Sequence, residues 1–252
     1  MTLAPPSRAD PDPLEVAQVD RARLMQAAGP RPRRTWLLLP YDTRRFPFAA
    51  LLSRDVFKVR QLDRLHDFLR QQRRASGRAD RAPTHRDNLA LRAMMERLPE
   101  TADFWRLYHA FMLTVLAPQV GRGISYTSHP KMRVHLAGTP SVSSFHHDIC
   151  VTGRIDQVNF WLPFVDVAGD TALWLESDYG RGDFQPVPVS YGQVLIFDGG
   201  YLGHGSVANR SDRSRVSLDM RFSLKKATTR ADGVALMDRL ADLHSGPQGD
   251  LT

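Results

Sequence analysis

Ten residues near the end of the chain, Arg215–Leu224, constrain the fold more than any other stretch. Val216, Leu218, Met220, Phe222 and Leu224 alternate with Arg215, Ser217, Asp219, Arg221 and Ser223. A period of two separates two faces only in an extended strand. The same period begins at Lys131, where Met132, Val134 and Leu136 alternate with Lys131, Arg133 and His135, and it returns where Val158, Phe160, Leu162 and Phe164 alternate with Gln157, Asn159 and Trp161. Shorter strand candidates at 143–148, 172–175, 184–189, 193–197 and 203–207 bring the number to eight. Eight short antiparallel strands after a helical region predict a mainly β protein with flanking helices. The expected core is a double-stranded β-helix, a cupin-like jelly roll with a cavity between its two sheets.

Upstream the period is helical. Val56, Val59, Leu62, Leu65, Phe68 and Leu69 recur at spacings of three and four, the mark of one buried stripe. Thr84 or Asp87 is placed to cap a helix running to Leu98, Pro99 interrupts, and Thr101 is placed to cap another over 102–116. Phe104, Trp105, Leu107, Tyr108, Phe111, Met112 and Val115 of that last helix are core-packing residues in search of a sheet. A short helix is also expected over 14–27, ended by Pro30 and Pro32. The 252 residues fit one domain: an extension to residue 30, a helical support over 31–125, the jelly roll over 126–226 and a C-terminal helix over 227–252.

Composition narrows the classes. No apolar run approaches the roughly 18 residues of a membrane span, and Met1 to Pro13 lacks the basic and apolar pattern of a secretory signal. A single cysteine, Cys150, cannot form a disulfide within the chain, which points to a cytoplasmic setting; it reads as a small buried hydrophobe. The formal charge is +7, with only four lysines among 34 basic side chains. Arg31, Arg33 and Arg34 precede a short apolar strand candidate at 36–39, the arginines at 70–86 surround a polar connector, and no nucleic-acid-binding module accompanies them, so they read as solvated helix ends and a mobile loop. Neither nucleic acid nor membrane is expected as a partner.

The chemistry sits in Ser144-Phe145-His146-His147-Asp148, answered 56 positions later by His204. In a strand His146 and Asp148 share a face while His147 points away. Two histidines and one carboxylate hold a divalent metal on one side only, an arrangement suited to non-haem Fe(II) with open positions for an organic ligand and oxygen. Arg215 follows His204 by eleven positions. A guanidinium stays charged when buried and grips a carboxylate with two parallel donors, so it implies a carboxylate co-substrate beside the metal. Gly192, Gly199, Gly200 and Gly203 read as turn and close-approach positions before His204; no helix start follows them, so they are no phosphate cradle.

This ordered set, His146-x-Asp148, His204 and Arg215, resembles the Fe(II)/2-oxoglutarate-dependent dioxygenases over about residues 131–224. Ser206 and Asn209-Arg210-Ser211 stand as in the phytanoyl-CoA dioxygenase-like branch. The resemblance implies the jelly roll, with His146, Asp148 and His204 as metal ligands and Arg215 with Ser206 on the far carboxylate of 2-oxoglutarate. It further implies coupling of 2-oxoglutarate decarboxylation, with O2, to oxidation of a C–H bond. Related halogenases have a small residue where Asp148 stands, so its presence favours hydroxylation or desaturation.

For Arg215 to reach a co-substrate, the polar face of its strand must line the cavity and the apolar face must pack on the helices. The same inversion places Arg133, His135, Gln157, Asn159 and Trp161 inside. Arg133 and Asn159 are then expected on the co-substrate side, and His135, Gln157, Trp161 and Arg221 on the substrate side. Arg221 and Arg133 suggest an anionic group on the substrate; Glu176, Asp178 and Asp183, on an expected loop, would suit an amine. The substrate class is a small molecule, with antibiotic biosynthesis as the setting that the resemblance favours. A metal-dependent isomerase or epimerase without 2-oxoglutarate, and a non-catalytic binding module, are the competing classes; neither requires a carboxylate clamp beside a metal.

Overall fold

A computed structural model describes residues 29–77, 81–121 and 123–244. The helix expected over 14–27 and the last residues of the C-terminal helix lie outside that range. The chain enters at β1 (Trp36–Pro40) and passes, besides short helical turns, three longer helices, α1 (Leu65–Ala75), α2 (His85–Glu96) and α3 (Asp103–Phe111). It continues through β2 (Ile124–Tyr126), β3 (Lys131–His135), a short helix α4 (Asp148–Thr152) and β4 (Val158–Pro163). Then come β5 (Leu173–Leu175), β6 (Gln185–Val187), β7 (Gln193–Phe197), β8 (His204–Gly205), β9 (Arg215–Leu224) and a last helix α5 (Arg230–Leu243). No helix among the described residues is long and apolar enough to cross a membrane.

All strand pairs are antiparallel. The larger sheet runs β1-β7-β4-β9-β2, with β3 also paired to β9; the smaller runs β6-β5-β8. His146 adds an isolated bridge to His204, so the segment after β3 lies beside β8. In the order of the eight expected segments, the large sheet reads first, eighth, third, sixth and the small one fifth, fourth, seventh, second, which is the winding of a double-stranded β-helix. The count differs from expectation in two ways. The second segment is reduced to one bridge, and β2, together with the strand candidate at 36–39 that becomes β1, extends the large sheet.

The inverted face of β9 decides where the core lies. Val216, Leu218, Met220, Phe222 and Leu224 join Phe160 and Leu162 of β4 and Phe104, Trp105, Tyr108 and Phe111 of α3 in one buried cluster. Phe111 meets Phe160 edge to face at 5.9 Å. The helices therefore cover the apolar outer face of the large sheet, each buried side chain contributing about 1.5–3 kcal/mol. Trp161, Leu195 and Phe197 from the large sheet meet Leu173, Leu175 and Val187 from the small one in a second cluster between the sheets.

The apolar stripe from Val56 to Leu69 is not one helix. A π-helical turn over Leu52–Phe57 ends at Lys58, whose φ of 56° is left-handed, and a 3-10 turn, Leu62–Arg64, leads into α1. The π turn, the 3-10 turn and the start of α1 present Val56, Leu62 and Leu65 to the same buried cluster. α2 begins after Thr84, whose amide donates to Asp87 Oδ2 at 2.7 Å in a capping box. α3 is capped at Ala102, one residue later than expected, and ends in a π-helical turn at Met112–Leu116.

Candidate metal centre

His204 enters β8 opposite Leu175, and His146 is held beside it by reciprocal backbone bonds of 3.0 Å each. The extended strand expected over 143–148 stops early: His147 is extended (φ −113°, ψ 131°), and α4 begins at Asp148. That one extended residue suffices to put His146 and Asp148 on the same side. His147 turns the other way, its Nε2 3.3 Å from Glu176 Oε2. The Asp148 amide donates to Gly199 O at 2.8 Å. Gly199 must be glycine: a Cβ there would lie 2.5 Å from the Asn159 side chain, which donates to Asp148 Oδ2 at 2.6 Å.

The ligand atoms offered by His146, Asp148 and His204 all lie within 4.8 Å of one another. His146 Nδ1 is 2.8 Å from Ser144 O and His204 Nδ1 is 3.0 Å from Leu202 O. A carbonyl only accepts, so both Nδ1 atoms carry a hydrogen, which leaves the two Nε2 atoms as the positions able to take a metal. Those atoms face the Asp148 carboxylate at 3.4 Å and 3.8 Å. Burial pushes the His204 imidazole down to about 3, so it is neutral at pH 7. Burial alone would raise the Asp148 carboxyl, but His146, Arg221 and the His204 ring hold it well below the usual carboxylate range. The two Nε2 atoms and the Asp148 carboxylate converge on one point, where a cation would join all three. The donor set therefore fits a divalent first-row ion, with backbone carbonyls fixing both tautomers.

A cavity of about 770 Å³ opens over these atoms and is lined by Arg133, Gln157, Asn159, Trp161, Arg215 and Arg221, among others. Arg215 is 1% exposed, yet no carboxylate among the described residues pairs with it. Its Nη1 donates to the carbonyls of Thr171 and Ala172 at 2.9 and 3.0 Å, its Nε has no partner, and its guanidinium lies 5.5 Å from the Trp161 ring. Burial and the Arg133 charge pull it down to about 9, still a cation at neutral pH. Arg221 Nε donates to Asp148 Oδ2 at 2.6 Å and Nη2 to Oδ1. Arg133 pairs with Asp219 at 2.8 Å and donates to Val142 O at 2.8 Å.

Several expected placements are corrected. Ser206 lies outside the cavity lining: its hydroxyl pairs with Ser141 Oγ at 3.0 Å and accepts from the Ser143 amide at 3.1 Å, stitching that loop to β8. His135, expected on the substrate, is fully buried opposite Arg215 with neither ring nitrogen hydrogen-bonded, outside the cavity lining. Glu176 is not a free acidic group on a loop but is 0% exposed. It accepts from the amides of Gly182 at 2.7 Å, Gly203 at 2.8 Å and Gly180 at 3.2 Å. Asp183 is engaged with Ser177. Cys150, read as a small buried hydrophobe, is instead exposed on α4.

Sequence reasoning missed one buried network. Arg230, the first residue of α5, pairs with Asp198 at 2.9 and 2.5 Å, and Tyr179 donates to the same carboxylate. Asp198 follows β7 and precedes Gly199, so this ion pair ties the last helix to the turn that positions Asp148 and Asn159. Each partner lies alone in sequence, with no periodicity to betray it.

No family model matches the chain, so the resemblance to the phytanoyl-CoA branch rests on its motif residues alone. The streptomycin biosynthesis protein StrG of Streptomyces griseus is 38% identical over 92 residues, which span 36% of this chain and 43% of that protein. Among solved structures, a non-haem monooxygenase, ThoJ with nickel, aligns over 78% of this chain and 76% of its own at 14% identity, with a TM-score of 0.47. The α-ketoglutarate-dependent epimerase SnoN from nogalamycin biosynthesis aligns over 80% and 82% at 15% identity, TM-score 0.40. HygX of Streptomyces hygroscopicus, with nickel and 2-oxoglutarate bound, aligns over 83% and 88% at 11% identity, TM-score 0.43. In sequence, the chain is similar to a streptomycin biosynthesis protein over less than half of that protein's length.

Proposed function

We propose that this protein is an Fe(II)- and 2-oxoglutarate-dependent oxygenase that hydroxylates or desaturates a small molecule in antibiotic biosynthesis. The observation that carries the reading is Arg215, a buried guanidinium without a carboxylate partner in the same cavity as His146, Asp148 and His204. A buried cation left unpaired is costly, and a dicarboxylic acid that reaches from the metal site to Arg215 would supply the missing charge. The antibiotic setting is supported by the relative named for streptomycin biosynthesis.

In this reading His146, Asp148 and His204 hold Fe(II), and Arg215 holds the far carboxylate of 2-oxoglutarate. The bound metal and co-substrate supply the oxidising power for a C–H bond. The chain's own side chains do the positioning. Asn159 and Arg221 fix the Asp148 carboxylate through its oxygens. Trp161 walls the cavity beside Arg215 and excludes water from the guanidinium. Asp148 keeps the metal face filled by three protein ligands, which favours hydroxylation or desaturation over halide transfer.

The test is Arg215→Lys, which keeps the charge and loses the planar fork. Calorimetry of 2-oxoglutarate on protein loaded with Ni(II), a stand-in that does not turn over, should show affinity falling at least about tenfold with nickel stoichiometry intact. Unchanged 2-oxoglutarate affinity would move the clamp elsewhere. With substrate and Fe(II), metal-dependent turnover that forms no succinate would replace the oxygenase by an isomerase.

A further inference from the structure

We infer that the cavity mouth beside Lys131 is a subsite for a phosphate group, so that the substrate is a phosphorylated small molecule. The inference deepens the oxygenase reading and rests on it for the word substrate, though the subsite itself is argued from this chain's residues alone.

Charge balance comes first. Six cationic side chains line the cavity, namely Arg92, Lys131, Arg133, Arg154, Arg215 and Arg221, against three carboxylates, Glu96, Asp148 and Asp219. A divalent metal and the dianion of 2-oxoglutarate cancel each other, so filling the centre leaves this surplus of positive charge untouched. Local pairing shows where it is concentrated. Arg92 is engaged with Glu96 at 2.7 Å, Arg133 with Asp219 at 2.8 Å and Arg154 with Asp156 at 2.7 Å. Among the described residues the Lys131 side chain has neither a hydrogen bond nor an ion pair, and it is exposed at the mouth.

The sheet register makes this a cluster. Lys131 stands directly opposite Asp219, with Arg133 two residues along the same face of β3 and Arg221 two residues along the same face of β9. Asp219 lies between two cations but is committed to Arg133, so its charge is already used. The Arg133 charge, with some burial, lowers the Lys131 ammonium below its usual value, the mark of a cation facing cations. Arg221 adds its charge to the same face while engaged by Asp148. A compact dianion answers two or more close cations better than a single carboxylate does. A neutral substrate would leave the Lys131 ammonium without a counter-charge.

The probe is inorganic phosphate, titrated by calorimetry into the full-length protein without metal and again with Ni(II) and 2-oxoglutarate bound. Phosphate should bind both forms, more weakly as salt is raised. Lys131→Gln should weaken it at least about fivefold, and Lys131→Arg should restore it to within about twofold. Lys131 is exposed, so these variants fold, and both should bind Ni(II) and 2-oxoglutarate as the wild type does. Equal phosphate affinity in Lys131→Gln overturns the subsite, as does acetate binding as tightly as phosphate. Loss of 2-oxoglutarate binding in that variant would assign Lys131 to the co-substrate and also overturn it. Failure of the wild type to bind Ni(II) or 2-oxoglutarate, with phosphate still dependent on Lys131, would instead remove the oxygenase reading and leave the phosphate site standing.

Discussion

Glu176→Ala should destabilise the metal-free protein by about 3–5 kcal/mol and weaken metal binding as well. The carboxylate is 0% exposed and takes amide hydrogens from Gly182, Gly203 and Gly180. Removing it orphans three buried N–H groups at about 1–3 kcal/mol each, less whatever is regained by no longer burying a charge and by water entering the space. Burial would push the Glu176 carboxyl up, but His147 and the Gly182 and Gly203 amides hold it below its usual value, so the bonds outweigh the desolvation. The metal effect follows from position. Gly203 precedes His204, and His147 sits between His146 and Asp148 with its ring against Glu176. Space is already short there: a Cβ on Gly203 would fall 2.7 Å from Glu176 Oε2 and 2.9 Å from His147 Nε2. Urea unfolding at pH 7 measures the first effect, and Ni(II) calorimetry the second. Glu176→Gln keeps one acceptor oxygen but turns an NH2 toward amide donors, and should lose about 2 kcal/mol. A loss below about 1 kcal/mol for the alanine variant with unchanged nickel affinity would refute the reasoning.

The other predictions concern the triad, the last helix and pH. His204→Ala should lower bound Ni(II) far below one per chain, because among the described residues three side chains converge on the site; stoichiometric binding would dismiss the triad. Arg230→Met leaves Asp198 buried without its cation and should cost about 3–5 kcal/mol in urea unfolding; a neutral result would mean the pair only balances its own desolvation. Burial brings both His204 and His135 down to about 3, whereas an unfolded chain titrates near 6.5. Their neutral forms are favoured in the folded state, so stability is full above pH ~6.5 and is lost as pH falls toward 3, where the unfolded chain binds protons the fold refuses. Metal-free protein should be roughly 2 kcal/mol less stable at pH 5.5 than at pH 7, and a flat profile would show that these rings gain solvent or partners.

What the sequence disclosed, and what it hid, divides along one physical line. A strand writes its two faces into alternate residues, so β9, β3 and β4 were legible, and so was the inversion that turns Arg133, Asn159, Trp161, Arg215 and Arg221 toward the cavity. His146, Asp148 and His204 were legible for a related reason: metal chemistry demands particular residue types, and an i, i+2 pair needs only one extended residue between them, which His147 supplies. Groups held by backbone amides leave no such pattern. Glu176 looked like a solvated loop acid because its partners are the amides of three glycines, and a backbone amide looks the same at every position. Ser206 sits at the spacing expected of a co-substrate residue, yet its hydroxyl is satisfied by Ser141 and the Ser143 backbone, a loop whose course no periodicity announces. Arg230 and Asp198 meet across 32 residues to anchor α5, and a lone arginine at a helix start is indistinguishable in sequence from a solvated one. Residue type and period together therefore reveal which side chains can reach the metal, whereas the loops that hold those side chains still are set by contacts that only the folded chain contains.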